Sequence, residues 1–195
     1  MTTFNGIWVP LITPFADGAV DFTSAQRLTR HLLDQGVNGI VVAATTGEAC
    51  TLSAAEQDRL LDAILEVCAG QCPVVLGITG NDTAQLAKRI IAHNHSAISG
   101  FLVSAPYYNR PSQEGIYQHF RTLANVTDLP FILYNIPYRT GVNIEVSTIQ
   151  RLCANPQFVA IKESGGGNIS QLSRLIHETE LNVLSGEDAL IFVNA

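Results

Sequence analysis

The chain has 195 residues, of which 47% are hydrophobic and 14% charged, with 11 Lys and Arg against 17 Asp and Glu. This composition excludes an intrinsically disordered segment, which needs few apolar residues and a high charge. The net charge of −6 argues against a nucleic-acid partner and an anionic membrane surface. The longest apolar runs are about five residues, far below the roughly 18 that cross a bilayer, and no export signal is visible. We therefore expect one cytoplasmic domain over residues 1–195.

Short apolar runs recur along the chain, each followed by a segment with a helical pattern. Successive runs lie roughly 30 residues apart, as in repeated β/α units. Their apolarity is continuous rather than alternating, which is typical of strands covered on both faces of a parallel sheet. The runs begin near Gly6, Gly39, Pro73, Gly100, Pro130, Gln157 and Asn182.

Capping signals place helices between these strands. Ser53 and Glu56 form a capping-box pattern before an apolar helical repeat, which Gly70 ends. The other predicted helices open at Asn81-Asp82-Thr83 and at Ser112, and weaker ones follow Thr23, Ile144 and Asn168.

Repeated β/α units predict either a parallel (β/α) barrel or a doubly wound sheet. A doubly wound dinucleotide-binding fold should have a G-x-G-x-x-G turn after its first strand. Here the first strand ends in Thr13-Pro14-Phe15, so that type of nucleotide site is not indicated.

Lys162 closes a run, Phe158–Ile161, that otherwise predicts a buried strand. In β/α barrels the functional residues lie at the carboxyl ends of strands. A lysine there loses hydration, its pKa falls, and its neutral amine can attack a carbonyl carbon. The position alone leaves a second interpretation open, in which Lys162 extends to solvent or pairs with Glu163.

Residues at neighbouring strand ends favour the catalytic interpretation of Lys162. A Schiff-base enzyme must move protons, and the hydroxyl groups of Tyr134, Thr45 and Tyr108 can form a relay. It must also hold a carboxylate, which hydroxyl and backbone N–H groups of Thr45-Thr46-Gly47 can do. Each residue alone is more often structural, so the indication lies in their joint placement.

The histidines do not indicate a metal centre. Metal ligands on this scaffold are expected at the strand ends, whereas predicted helices contain His31, His93, His95, His119 and His177. We therefore expect metal-free chemistry.

Four strand-end segments occur in this order: Thr45-Thr46-Gly47-Glu48, Pro106–Gly115, Tyr134–Gly141 and Ile161-Lys162-Glu163. Between about Gly6 and Gly186, these motifs and their spacing resemble the dihydrodipicolinate synthase family. That family belongs to the pyruvate-dependent class I aldolases, which include N-acetylneuraminate lyase. The resemblance implies an α/β fold, a (β/α)8 TIM barrel.

The resemblance implies that Lys162 forms a Schiff base with pyruvate, so that no cofactor is needed. Tyr134 would transfer protons and would be linked through Thr45 to Tyr108, which family members donate from a neighbouring subunit. A homodimer or homotetramer is therefore implied. The implied activity condenses pyruvate with L-aspartate 4-semialdehyde to 4-hydroxy-tetrahydrodipicolinate, in lysine and diaminopimelate biosynthesis.

The same resemblance implies three further substrate contacts. Thr45 and Thr46 would bind the pyruvate carboxylate, and Gly186 would leave room beside the bound ketoacid. Arg139 would hold the carboxylate of the second substrate, because a guanidinium can bind a carboxylate with two parallel hydrogen bonds.

Two other functions stay open. Sugar-acid lyases or dehydratases of the N-acetylneuraminate or keto-deoxygluconate type share Lys162, Tyr134 and the Thr45–Glu48 motif. Arg139 and the Tyr107–Pro111 loop favour the synthase. The third possibility is an inactive truncated chain that serves only as an assembly partner.

The sequence departs from the family pattern at several points. Ala44 stands where the family usually has Gly. Gln85 and Gln57 stand where lysine-inhibited members have a Glu and a His, so we expect weak or absent inhibition by lysine. The chain also stops before the family's eighth βα unit and C-terminal helices. We therefore expect a barrel truncated after about seven β units, a fragment or shortened copy of a full enzyme.

Overall fold

The computed structural model describes residues 4–94 and 97–190. Within these ranges it contains nine strands: β1 (Trp8–Pro10), β2 (Phe15–Ala16), β3 (Ala19–Val20), β4 (Gly39–Val42), β5 (Val74–Ile78), β6 (Gly100–Ser104), β7 (Phe131–Asn135), β8 (Phe158–Glu163) and β9 (Asn182–Ser185).

Seven α-helices occur in the same described ranges: α1 (Phe22–Asp34), α2 (Ala54–Cys68), α3 (Thr83–Ala92), α4 (Gln113–Ala124), α5 (Pro137–Thr140), α6 (Val146–Leu152) and α7 (Ile169–Glu178). None of the helices in these ranges is both long and apolar enough to cross a membrane.

Seven strands belong to one sheet, in the order β1-β4-β5-β6-β7-β8-β9. The pairs β1–β4, β4–β5, β7–β8 and β8–β9 are parallel, as crossover connections through helices require. Every residue of β4, β5, β6 and β7 is buried. All seven predicted strands are thus confirmed. The inference that continuous apolarity marks strands covered on both faces is confirmed for β4 to β7, whereas β1 is only half-buried and β9 is half-buried or exposed.

The helices begin where the capping signals predict. Ser53 is the N-cap of α2: its hydroxyl accepts from the Glu56 N–H at 3.3 Å, and the Glu56 carboxylate accepts from the Ser53 N–H at 2.8 Å. Asp82 caps α3 and Ser112 caps α4 through their side chains. These contacts satisfy N–H groups that the first turn of a helix leaves without partners.

Two short elements are absent from the sequence-based prediction. The first is the antiparallel hairpin of β2 and β3, joined by Asp17 and Gly18, whose φ angles are +51° and +79°. Two successive positive φ angles define the turn type that Asp-Gly favours, so this dipeptide was the available signal. The second is α5, a single turn whose first residue is Pro137, immediately beyond the end of β7.

The chain divides into two compact units. The first comprises Met1–Gly77 and Ser96–Leu102, and the second comprises Ile78–His95 and Val103–Ala195. In the first unit, α2 buries Leu60, Leu61 and Ile64, and every residue of β4 is buried. In the second, Phe158 contacts the rings of Phe120 and Phe131 at centroid distances of 6.2 and 5.6 Å. The single domain over residues 1–195 stays a prediction.

Candidate active site

Lys162 and Tyr134 lie side by side on neighbouring strands of the second unit. In the parallel pairing of β7 and β8, Tyr134 is opposite Lys162 and Asn135 is opposite Glu163. The Lys162 Nζ lies 4.6 Å from the centroid of the Tyr134 ring, and Tyr134 is only 3% exposed. The structure therefore brings together the predicted nucleophile and the predicted proton-transfer residue.

Glu163 does not serve as the ionic partner of Lys162. Successive side chains of a strand point to opposite faces, and the Glu163 carboxylate is held on its own face by amide groups. Asn135 Nδ2 donates to its two oxygens at 2.9 and 3.0 Å, and Gln171 Nε2 donates at 3.1 Å. The interpretation of Lys162 as a lysine paired with Glu163 is therefore wrong.

The surroundings of Lys162 favour its neutral form. Burial lowers the pKa of the amine, while the negative charges of Asp188 and Glu187 act in the opposite direction. Burial removes water that would stabilise the ammonium ion. Because only a neutral amine has a free electron pair, this environment makes Lys162 a better nucleophile near neutral pH than an exposed lysine.

Gly186 borders Lys162 on the other side. It follows β9, the strand that pairs with β8 and places Leu184 opposite Lys162. The Gly186 N–H donates to the Glu163 carbonyl oxygen at 2.8 Å. A Cβ atom at Gly186 would lie 3.0 Å from Lys162 Cε and would collide with the Ser164 hydroxyl. The absence of a side chain at Gly186 therefore keeps space open beside the Lys162 side chain.

Tyr108 occupies a strained and exposed turn. Its φ angle is +68°, and the Asn109 N–H donates to the Tyr107 carbonyl oxygen at 2.7 Å. This is a γ-turn, a conformation that non-glycine residues rarely adopt. The Tyr108 side chain is 86% exposed, so its own unit does not enclose it. Its predicted link to Tyr134 through Thr45 stays a prediction.

Arg139 lies on α5, the turn that directly follows the strand of Tyr134. The Thr140 hydroxyl donates to the Ile136 and Val142 carbonyl oxygens at 3.1 and 2.8 Å, which fixes the backbone around this turn. The exposed Arg139 guanidinium lies 5.4 Å from the centroid of the Tyr138 ring. α5 therefore places the positively charged Arg139 guanidinium just beyond the carboxyl end of β7.

Thr45 and Thr46 belong to the first unit, in the loop after β4. The loop is tightly folded: the Glu48 N–H donates to the Thr45 carbonyl at 3.0 Å, and the Thr13 hydroxyl donates to the Gly47 carbonyl at 2.6 Å. Thr45 is half-buried and Thr46 is exposed. Their predicted role as ligands of a carboxylate stays a prediction.

The histidines occupy helical positions. His31, His119 and His177 lie on helices, and His93 is the C-cap of α3, whereas His95 is outside the described residues. Within residues 4–94 and 97–190, no group of three His, Cys, Asp or Glu side chains could hold a metal ion.

Sequence reasoning missed the amide residues that surround Glu163. Asn135 and Gln171 donate to the Glu163 carboxylate, and Asn143 forms hydrogen bonds with both of these amides. Asn135 and Glu163 are each adjacent to a predicted catalytic residue, and strand alternation alone would have placed both on the opposite face. The contribution of Gln171, eight residues further on, has no local sequence signal.

Known proteins resemble this chain over nearly its full length. It is 42% identical over 191 residues to the 4-hydroxy-tetrahydrodipicolinate synthase of Desulforamulus reducens, covering 96% of this chain and 64% of that protein. The chain thus spans less than two thirds of the length of these curated relatives.

Solved structures give the same result. The dihydrodipicolinate synthase of Thermotoga maritima superposes with a TM-score of 0.95 at 37% identity, covering 98% of this chain and 67% of that one. A structure described as the first monomeric dihydrodipicolinate synthase variant gives 0.94 at 37% identity, with 98% and 65% covered. These likenesses confirm the predicted fold class, an α/β fold of the TIM-barrel type, of which the described residues contain seven β units. Residues 3–194 match the model of the Dihydrodipicolinate synthetase family, and the chain belongs to that family.

Proposed function

We propose that this chain catalyses the condensation of pyruvate with L-aspartate 4-semialdehyde to 4-hydroxy-tetrahydrodipicolinate, a lyase reaction of lysine and diaminopimelate biosynthesis. The observation that carries the proposal is the half-buried Lys162 amine, 4.6 Å from the centroid of the Tyr134 ring. The names of the relatives support the choice of substrates.

In the proposed reaction, the neutral Lys162 amine attacks the ketone carbon of pyruvate, and loss of water gives an imine. The protonated imine is a strong electron sink, so the pyruvate methyl group can lose a proton to form an enamine. The enamine carbon then bonds to the aldehyde carbon of the semialdehyde, whose oxygen takes up a proton. Attack of the product's amino group on the imine carbon closes the ring and releases Lys162.

Tyr134 is the proposed proton-transfer group, because its buried ring lies next to the amine on the adjoining strand. Thr45 and Tyr108 would complete the relay. Thr45 and Thr46 would bind the pyruvate carboxylate, and Gly186 would leave room for the ketoacid. Arg139 would hold the carboxylate of the semialdehyde, since its guanidinium is exposed on the turn after β7. The imine on Lys162 provides the electron sink, so the proposed chemistry requires no cofactor.

Assembly and regulation form part of the proposal. The exposed Tyr108 fits a residue that completes the site of a neighbouring subunit in a homodimer or homotetramer. The proposed location is the cytoplasm. Inhibition by lysine should be weak or absent, because Gln57 and Gln85 offer no carboxylate to a lysine ammonium group. Isothermal titration should therefore detect no micromolar lysine binding.

The decisive assay compares substrates on the purified chain. We expect condensation with pyruvate and aspartate semialdehyde, and no cleavage of N-acetylneuraminate or keto-deoxygluconate. Replacing Arg139 by Met should raise the KM for the semialdehyde while pyruvate still forms the imine. Cleavage of either sugar acid at a higher kcat/KM than the condensation would contradict the proposed substrate.

A further inference from the structure

A buried carboxylate lies behind the proposed nucleophile. Glu163 is 5% exposed, although carboxylates are rarely buried without partners. Both of its oxygens accept hydrogen bonds from Asn135 Nδ2, and one also accepts from Gln171 Nε2. The proposed chemistry does not use this group, so its burial needs another explanation.

The partners of Glu163 are themselves fixed. Asn135, which is fully buried, accepts from the Ile144 N–H at 3.0 Å through Oδ1 and donates to Asn143 Oδ1 at 2.8 Å. Asn143 Nδ2 donates to Gln171 Oε1 at 2.8 Å. The carboxylate therefore joins β8 to β7 and α7, and its amide partners extend the network to the segment that follows α5.

Two groups of this network, Asn135 and Glu163, are each one residue away from a group of the candidate site. Asn135 follows Tyr134, Glu163 follows Lys162, and the two pairs lie opposite each other in the β7–β8 register. Backbone bonds continue the ladder past Lys162: the Ser164 N–H donates to the Asn135 carbonyl and the Gly186 N–H to the Glu163 carbonyl, both at 2.8 Å.

We propose that Glu163 is a positioning residue for Lys162: by binding Asn135 and Gln171 on one face of β7 and β8, it holds the Lys162 amine against Tyr134 on the other. This inference rests on the proposed function, because it concerns the rate at which Lys162 forms the imine. A side-chain network on one face of a strand pair fixes the register, and the register fixes which side chains meet on the opposite face.

Exchange of the acceptor for a donor provides a sharp test. In Glu163→Gln, an NH2 group replaces one oxygen and faces the donors of Asn135 and Gln171, so the network cannot keep its geometry. The measurement is the rate of borohydride-trapped imine formation as a function of pyruvate concentration. We expect the maximal rate to fall about 100-fold, the effect of a displacement of roughly 1 Å, while the half-saturating pyruvate concentration changes less than about 3-fold.

A matched control separates positioning from loss of stability. Thr83→Val removes another polar contact of the second unit, the 2.7 Å bond between the Thr83 hydroxyl and His119 Nδ1. This variant should lose stability and yet keep the maximal imine rate. An equal fall of the rate in Thr83→Val and Glu163→Gln would overturn the inference, because the effect would then follow stability alone.

The reversed pair tests the contact itself. In the double variant Asn135→Asp with Glu163→Gln, the donor and acceptor exchange places, and the amides of Asn143 and Gln171 can rotate to match. We expect the double variant to form the imine at least about tenfold faster than the product of the two single effects predicts. This difference is the coupling that a double-mutant cycle measures. A double variant as slow as the product of the two single effects would overturn the inference.

Glu163→Asp covers the case in which Glu163→Gln does not fold. The shorter carboxylate keeps its charge but cannot reach both partners, so we expect an intermediate loss of rate. An unchanged rate of imine formation in a folded Glu163→Asp or Glu163→Gln chain overturns the positioning role of Glu163 and leaves the proposed function intact. Failure of the unsubstituted chain to form any pyruvate adduct overturns the proposed function as well.

Discussion

At the residue scale, the strand register decides what each polar side chain can do. Lys162 and Glu163 are neighbours in sequence, yet one lies beside Tyr134 and the other binds Asn135 and Gln171. Lys162 is left with a half-buried amine whose pKa is lowered by burial. That combination suits a nucleophile, since an ammonium paired with a carboxylate would have no free electron pair.

Replacing Tyr134 by Phe should slow imine formation while leaving Lys162 in place. The ring that contacts the amine remains, and only the hydroxyl is lost, so the expected fall is that of general acid–base catalysis, roughly 10²- to 10⁴-fold. Stopped-flow trapping with borohydride measures the rate.

Tyr117→Phe is the matched control for Tyr134→Phe. Tyr117 also lies beneath a cation, the Arg151 guanidinium at 4.0 Å from its ring centroid, but on α4. Loss of the Tyr117 hydroxyl in Tyr117→Phe should leave the rate of imine formation unchanged. Equal rates for Tyr134→Phe and the unsubstituted chain would exclude Tyr134 as the proton-transfer group.

The site residues differ in how far the sequence predicts them. Lys162 was predictable because a charged residue interrupts an apolar strand at its carboxyl end. The partners of Glu163 were not predictable. Its adjacency to Lys162 in the sequence suggested an ion pair, whereas the alternation of side chains along the strand directs the carboxylate toward Asn135 and Gln171. Side chains that meet across elements have no local signal.

At the element scale, helix starts are well specified and short connections are not. Ser53 and Glu56 form the predicted capping box because both contacts are local. The four-residue α5 and the two-residue strands β2 and β3 are too short for a periodic pattern. Asp17-Gly18 and Pro137 were the available signals, and each is compatible with several turn types.

His119 on α4 should make stability depend on pH. Burial lowers its pKa from 6.5 to about 4, with the Ser104 backbone acting in the opposite direction. Above pH 6.5 the ring is neutral in both states, and its contribution to stability is fully present. As the pH falls toward 4, only the unfolded chain takes up the proton, so stability is lost, by about 3 kcal/mol in total.

Urea unfolding between pH 7 and pH 4 measures this effect of His119. The variant His119→Asn should show a shallower decline than the unsubstituted chain, whereas replacement of the exposed His31 by Asn should keep the decline unchanged. Parallel curves for His119→Asn and the unsubstituted chain would show that the His119 ring is not the group responsible.

At the scale of the whole molecule, the repeated β/α order was predictable, because seven apolar runs recur at nearly constant spacing. Spacing alone could not distinguish a barrel from a doubly wound sheet, because both use the same local unit. The Thr45–Glu48 loop belongs to one compact unit, and Lys162 and Tyr134 belong to the other. Within the second unit, Tyr134 and Lys162 come from two separate strands, and such a pairing has no signature in any single stretch of sequence.

Mixing two inactive variants tests whether Tyr108 acts on a neighbouring subunit. Lys162→Met keeps Tyr108, and Tyr108→Phe keeps Lys162, so a mixed dimer should regain one complete site. We expect condensation activity to reappear after the two chains are unfolded and refolded together. If the mixture is no more active than the separate variants, Tyr108 acts within its own chain or not at all.

The most direct test of the central claim is competition between the two lysines of this chain, Lys88 and Lys162. Lys88 is exposed on α3, whereas burial lowers the pKa of Lys162. After incubation with pyruvate and borohydride at pH 7, peptide mass mapping should find the reduced adduct on Lys162 and essentially none on Lys88. Equal labelling of the two lysines, or no label on Lys162, would contradict the claim that Lys162 is the nucleophile.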